Sequence, residues 1–511
     1  MKDLSKNLWC FILLILWPII STGCLKHASL PSGNSRPSGI ERQGLSSTSS
    51  VFPSGGASGA PSGAPSSGGA SVLLLAQAQF RTEKGAEGKD LSVPGAAKLT
   101  LVTRTPNGWE NSLLEDPESN VFHKALWFSP PPGAGDPGIL TIGGNAARLK
   151  LWHREAGKWK GATLWGPTFG GEQNRLRDIE VGDVTGDGVE DLVIATHDQG
   201  VVAVLQWKNG AWDVTELNRT ADTFVHEIEI GDVNGDGRQE FFATPSEPNR
   251  LDGTPQPGKI IMYRFDGERF AVSTVEEFPD RHVKEILVAD VSGSGHPDLF
   301  AAVEGEMAMV QGQPTLLDSV KVKQYRWFGA DNASEGKSGG EVSGDGDKVP
   351  GDTVSNSKVS GGKVSRGRFL GKVIADLPDM LCRNLTVGDV DGDGSIDIVA
   401  STMRSGIWIL RQKPQGDKPQ GDKQHRERDE AKWDEAKWEK TLIDAQSSSF
   451  EHATLIADLN HDGKNEIYVA SDDQHFLRRY QWDGKTFHRD NLVPLQPDDL
   501  TFGLTSCPPF P

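Results

Sequence analysis

The sequence predicts an all-β protein: a β-propeller of seven blades closed by both termini, with six or eight blades as the alternative counts. Three observations predict it. Five times an apolar strand runs into an aspartate-rich loop and then into a second apolar strand, with the loops at 183–191, 232–240, 290–298, 389–397 and 458–466. Tight-turn pairs recur behind them at Asn209-Gly210, Asp266-Gly267 and Asp483-Gly484, and ahead of them at Asn107-Gly108. Such pairs join hairpin strands because both turn residues need positive φ. An aromatic residue opens the strand after each turn: Trp109, Trp212, Phe270 and Phe487. Third, the strands read as β-branched apolar runs, such as Leu192-Val-Ile-Ala, which fits burial on both faces. Four strands per repeat and several repeats define a propeller. With strands lettered a to d from the axis outward, the aspartate loop joins a to b and the hairpin joins c to d.

The elements follow in order. Lys2 and Lys6 precede an apolar run over residues 8–20, and Ser21-Thr-Gly-Cys24 follows. That run is too short for a confident membrane span and reads as a signal peptide over 1–23. Residues 24–70 are mostly Ser, Gly, Pro and Ala. They cannot build a core and read as a flexible tether spanning roughly 35–40 Å. The body is then 71–511. Strands at 72–80 and a hairpin at 98–114 precede a degenerate blade over 121–164. That blade carries Pro130-Pro-Pro-Gly-Ala-Gly-Asp136 in place of the aspartate loop, so no metal is expected there. Five regular blades follow, and a last strand at 500–506 joins the first strands to complete a seventh blade. Two polar inserts, at about 329–366 and 413–437, interrupt c–d turns, where exposed tips tolerate them; both are expected to be disordered.

Net charge is −18 over 511 residues. No contiguous basic stretch points to nucleic acid, so no nucleic-acid partner is expected.

The loops carry oxygen donors at positions 1, 3, 5 and 9, a backbone carbonyl at 7 and glycine at 6, the front half of a calcium loop. Hard carboxylates at this spacing suit Ca2+ better than Mg2+. About four structural sites are expected. They are Asp389, Asp391, Asp393 and Asp397 with the Ser395 carbonyl; Asp183, Thr185, Asp187 and Asp191 with Val189; Asp232, Asn234, Asp236 and Glu240 with Arg238; and Asp458, Asn460, Asp462 and Glu466 with Lys464. The first has the fullest carboxylate set. The fifth loop has Ser292 and Ser294, which leaves two carboxylates, and is expected to be weak or empty. An aspartate-glycine turn without metal is the alternative for all five.

This repeated Asp-x-Asx-Gly-Asp-Gly-x-x-Asp pattern resembles the FG-GAP and VCBS repeats, calcium-binding propeller units also found in integrin α heads. The resemblance covers most of 118–495, and the lack of clear Phe-Gly and Gly-Ala-Pro marks favours the VCBS type. The segment ending at Cys24 is similar to a bacterial lipoprotein signal, with Ser21 where Leu is usual. This resemblance implies lipidation of Cys24 and attachment to the membrane. Leu25 rather than Asp after the cysteine implies the outer membrane of the cell envelope. An ordinary cleaved signal with an incidental cysteine is the alternative. Cys382 and Cys507 would then be free to pair in an oxidising compartment.

Six residues before the first aspartate of each loop stand Arg177, His226, Lys284, Arg383 and His452, and aligning the degenerate blade without a gap adds Lys124. These positions open strand a, at the opposite end of the channel from the loops. A ring of positive groups there would focus field on an anion. The alternative is pairing with the acids that follow, Asp178, Glu227 and Glu285. The expected function is a lipid-anchored, extracytoplasmic module that binds an anionic or glycan ligand or an envelope protein. The alternative is a propeller enzyme acting on a sugar or polysaccharide as a lyase, dehydratase or dehydrogenase. Catalysis is the lesser expectation, because the chain has no nucleophile elbow, zinc-protease helix or phosphate loop. His123, His226, His282 and His452 are the histidines expected near the axis.

Overall fold

A computed structural model describes residues 72–85, 88–171, 174–197, 199–247, 256–311, 313–329, 367–413, 433 and 436–509. The expected signal peptide, Cys24, the tether and most of both inserts lie outside the described residues.

Seven antiparallel sheets form a ring of blades, six of them four-stranded and one five-stranded. The N-terminal strands are β1 (Val72–Lys84), β2 (Asp90–Pro94), β3 (Ala97–Thr105) and β4 (Gly108–Asp116). Blade 1 is β5 (Phe122–Phe128), β6 (Gly138–Gly143), β7 (Leu149–Glu155) and β8 (Lys158–Trp165). Blade 2 is β9 (Leu176–Gly182), β10 (Asp191–Thr196), β11 (Val202–Lys208) and β12 (Ala211–Asn218). Blade 3 is β13 (Phe224–Gly231), β14 (Glu240–Ser246), β15 (Gly258–Phe265) and β16 (Phe270–Phe278). Blade 4 is β17 (Val283–Ala289), β18 (Asp298–Val303), β21 (Val320–Gly329) and β22 (Gly367–Leu377), with the hairpin β19 (Glu306–Val310) and β20 (Gln313–Asp318) between its middle strands. Blade 5 is β23 (Cys382–Gly388), β24 (Asp397–Thr402), β25 (Ile407–Gln412) and β26 (Trp438–Asp444). Blade 6 is β27 (Thr454–Ala457), β28 (Glu466–Ser471), β29 (Phe476–Trp482) and β30 (Phe487–Pro494). The C-terminal strand β31 (Asp499–Cys507) pairs with β1, so blade 7 reads β31, β1, β3, β4 from the axis outward. This is the expected closure by both termini.

Strands β31, β5, β9, β13, β17, β23 and β27 contact one another in sequence around the axis, which makes them the a strands. The aspartate loops therefore lie at one end of the channel, with the c–d hairpins. The beginnings of the a strands and the b–c loops lie at the other, the mouth. β1 starts at the loop end, where Val72 pairs with Cys507. Past Gln79 it outruns β31 and pairs with β2 beside the mouth. The β19–β20 hairpin stands at the same end.

Strand alternation explains the core. Val72, Leu74 and Ala76 pack toward blade 1, whereas Leu73 and Leu75 pack toward blade 6. Each of the seven apolar clusters among the described residues fills one gap between adjacent blades, as between Val193 of blade 2 and Phe241 of blade 3. Every middle strand is thus buried on both faces, hence the continuous apolar runs. The outer d strands alternate toward solvent, as in Ala211–Asn218. Both inserts fall between strands c and d, in blades 4 and 5. Trp433, within the second, is buried, with its ring 5.9 Å from Phe328 and the Lys372 ammonium 4.5 Å from its centroid. Cys382 and Cys507 are both free and buried, in blades 5 and 7, so they do not pair here. No helix among the described residues is long and apolar enough to cross a membrane.

Candidate functional site

The two ends of the channel hold different chemistry. At the loop end, the first aspartate of each loop organises the turn. Asp183 accepts from the amides of Gly186 (2.7 Å), Asp187 (3.0 Å) and Gly188 (2.8 Å). Asp389 does the same with Gly392, Asp393 and Gly394. Asp232 and Asp458 each hold the amides at positions 5 and 6. The position-5 carboxylates Asp187, Asp236, Asp393 and Asp462 accept from the amides of Val189, Arg238, Ser395 and Lys464. Position 4 is left-handed, with φ +73° at Gly186 and φ +59° at His461, the histidine that replaces glycine there.

Position 9 is buried in each loop. Thr185 donates to Asp191 at 3.1 Å, and Asn234 and Asn460 donate to Glu240 and Glu466. Burial, with Asp187 and Asp183 nearby, pushes Asp191 up to about 6. Burial, with Asp236 and Asp232, pushes Glu240 to about 8. Clustered carboxylates held this way fit a divalent cation, which would favour their charged forms. Oxygens of Asp389, Asp391 and Asp393 lie within 4.8 Å of one another.

At the mouth, six of the seven a strands carry a β-bulge near their start, and β27 of blade 6 does not. The register skips His123 in β5, Arg177 in β9, Lys284 in β17, Arg383 in β23 and Phe502 in β31; in β13 it skips His226 and Glu227. Bulges re-aim side chains, and here they bring one residue per blade to the mouth. Arg177, His226, Lys284 and Arg383 are where the sequence placed them. Lys124 is not in the ring: with no aspartate to count from, the ungapped alignment missed by one residue, and His123 holds the position. Lys124 instead pairs with Asp178 (2.9 Å) and Glu180. His452 is also absent from the ring. It is fully buried before β27, bonded to Ser447 Oγ (2.8 Å) and the Thr402 carbonyl (2.5 Å).

The acids that pair with the ring are not the ones that follow it in sequence. Glu451 accepts from Arg383 at 2.8 Å through both oxygens and meets Arg177 at 3.4 Å. Glu304, from the b–c loop of blade 4, meets Lys284 at 3.0 Å and Arg383 at 3.8 Å. Asp178, Glu285 and the deeper Glu229 instead accept the inner-edge amides of the next blade, at Ile228 (2.8 Å), Leu385 (2.7 Å) and Val288 (3.2 Å). An a strand is a sheet edge, and its buried amides need such partners.

His197, from the b–c loop of blade 2, completes the mouth. It stacks on Phe224 at 4.5 Å and lies 5.0 Å from the His226 ring and 6.0 Å from the His123 ring. Both ring nitrogens of His197 and His226, and Nε2 of His123, are buried without a hydrogen-bond partner among the described residues. Arg177 lies 3.4 Å from His123 Nδ1. Burial first, then the neighbouring cations, holds all three imidazoles well below their ordinary range, so they are neutral. Half-buried Phe224, Phe450 and Phe502 border the cluster, with Arg177 over Phe502 and Arg383 over Phe450.

The fold defines the class: an all-β, seven-bladed propeller with an FG-GAP-like repeat. Residues 183–243, which span the metal-type loops of blades 2 and 3, match the FG-GAP-like repeat. The chain is similar to the periplasmic gluconolactonase of Pseudomonas aeruginosa, with 14% identity, a TM-score of 0.41, and 86% of this chain and 99% of that one covered. It is also similar to proposed 6-phosphogluconolactonases of Bacteroides fragilis (10% identity, TM-score 0.43, 87% and 100% covered) and Bacteroides uniformis (10%, 0.46, 86% and 99%). No curated protein sequence matches the chain at a significant level.

Proposed function

We propose that this protein is a lipid-anchored, extracytoplasmic propeller that binds an anionic, polyhydroxylated ligand at its mouth and uses calcium to pin its loop end. The observation that carries the binding reading is the set of neutral imidazoles with unpartnered, buried nitrogens beside Arg177, Lys284 and Arg383. A neutral imidazole presents one donor and one acceptor. A ligand hydroxyl satisfies either, whereas inorganic phosphate is chiefly an acceptor. Glu304 and Glu451 bond Lys284, Arg177 and Arg383, and a carboxylate on the ligand would join that set of ion pairs. The phenyl rings offer faces to a sugar ring. A uronic acid combines these features.

Binding is favoured over catalysis by the state of the nearby acids. Burial pushes Glu304 up, but Lys284, His282 and Arg383 outweigh it and hold its carboxyl below the usual range. Glu451 is engaged by two arginines. Neither is poised as a general base.

The test is calorimetric titration of the full chain with galacturonic acid and its oligomers. Binding is expected, and His226→Phe, which keeps the ring volume and removes both nitrogens, should weaken it about tenfold with the melting temperature retained. Absence of binding, or binding indifferent to His226→Phe, overturns the reading. Attachment is tested separately: Cys24→Ser should move the protein from the detergent phase to the aqueous phase on phase partitioning, and retention in the detergent phase would count against lipidation there.

In the calcium reading, the loops at Asp183, Asp232 and Asp458 hold structural ions. Their support is the buried position-9 carboxylate in each and the neutral Thr or Asn partner at position 3.

A further inference from the structure

The loop with the fullest carboxylate set already contains a cation. One step beyond the last paired residues of strands b and c, the position-9 acid of each loop faces a strand-c residue. These residues are Gln206, Arg264, Arg326, Arg411 and Gln481 in blades 2 to 6. In blade 5, Arg411 Nε and Nη2 donate to the two oxygens of Asp397 at 2.6 and 2.8 Å, and Nη2 meets Asp391 at 2.6 Å. In blade 4, Arg326 grips both oxygens of Asp298 at 2.7 and 2.6 Å and reaches Ser292 Oγ at 3.3 Å. The glutamines of blades 2 and 6 bring no charge: Gln206 donates to Thr185 at 3.2 Å and Gln481 to Glu466 at 3.1 Å.

We infer that Arg411 and Arg326 take the place of the metal ion in blades 5 and 4, so that the Asp389 and Asp290 loops are closed by a guanidinium and take no calcium. A calcium loop draws oxygen ligands from positions 3 and 9 among others. Arg411 occupies the Asp391 and Asp397 oxygens at those two positions, in the planar two-pronged geometry that matches guanidinium to carboxylate. Arginine does not lose its proton in proteins. An ion at the same oxygens would sit against a fixed positive charge. A guanidinium bonded to both position-9 oxygens, and not merely an arginine opposite them, therefore decides whether a loop needs metal: in blade 3 Arg264 stands opposite, yet Glu240 Oε2 has no hydrogen-bond partner among the described residues. The inference concerns loops outside the three assigned calcium above, so the two readings stand or fall separately.

The test is calcium stoichiometry by equilibrium dialysis on the full chain, stripped with chelator and reloaded, for wild type, Asp389→Asn and Arg411→Gln. Asp389→Asn is expected to bind as many ions as wild type. Arg411→Gln is expected to bind one more, and the added ion should be lost in Arg411→Gln/Asp389→Asn. A loss of one ion in Asp389→Asn overturns the inference, because the loop is then already filled. An unchanged count in Arg411→Gln also overturns it, because the guanidinium is then not what excludes the ion. If Arg411→Gln fails to fold, the Asp389→Asn count still decides. Wild type without calcium but Arg411→Gln with one ion would sink the three-loop assignment and leave this inference standing.

Discussion

Deleting residues 499–511 should abolish cooperative folding. This segment supplies the whole of β31, which pairs with β1 at eight positions around a bulge. At about 1 kcal/mol per ladder hydrogen bond, its loss costs about 8 kcal/mol. Leu504 and Cys507 leave the core with it. Side-chain ties across the ring go too: Lys98 with Asp499, and Asp472 with the Thr501 amide (2.8 Å) and hydroxyl (2.9 Å). A domain's net stability is about 5–15 kcal/mol, so the deletion removes most or all of it. β1 would also become an unpaired apolar edge, Val-Leu-Leu-Leu-Ala, an aggregation hazard. The measurements are thermal melting and size-exclusion chromatography. A soluble, monomeric truncation with a sharp melt would show that the ring does not depend on this closure. Leu504→Ala is the graded control and should cost about 2–5 kcal/mol while keeping a single transition.

Chelation should lower the melting temperature of the full chain by roughly 10 °C relative to protein in about 10 mM calcium. With three ions bound about a hundredfold above Kd, each contributes about 2.7 kcal/mol. Asp183→Asn and Asp458→Asn should each remove about a third of the difference. An unchanged melt would mean that the turns hold themselves through their aspartate–amide bonds alone.

The repeat makes the architecture legible in the sequence. Aspartate loops and Asn-Gly or Asp-Gly turns mark two of the three connections in a blade, and their order fixes which strand is innermost. Even the closure was readable, because strands were left over at both ends. The mouth is readable where a loop gives a point from which to count: Arg177, His226, Lys284 and Arg383 stand at the a-strand bulges, whereas in blade 1 His123 and not Lys124 holds that place. His452 failed for another reason: the chain turns left-handed there, φ +52°, so Glu451 rather than the histidine reaches the ring. The partners Glu304 and Glu451 lie far from Lys284 and Arg177 in sequence, and no local pattern relates them. Arg411 is the instructive omission. The loop motif ranks the Asp389 site first because it counts carboxylates along the chain. The neutralising charge arrives from strand c, fourteen residues beyond Asp397. Counting strand pairing outward from each loop would have found it.

The position of β1 bears on how the protein withstands tension. The chain enters the ring at Val72, at the loop end, and β1 then runs between β31 on one side and β3 on the other. A pull on the N-terminal segment acts along β1, parallel to the strands and across two ladders at once. Those hydrogen bonds must yield together, in shear, rather than one after another as in the peeling of an edge strand. A body pulled through this strand is mechanically clamped at that point, with the mouth at the end away from the pull.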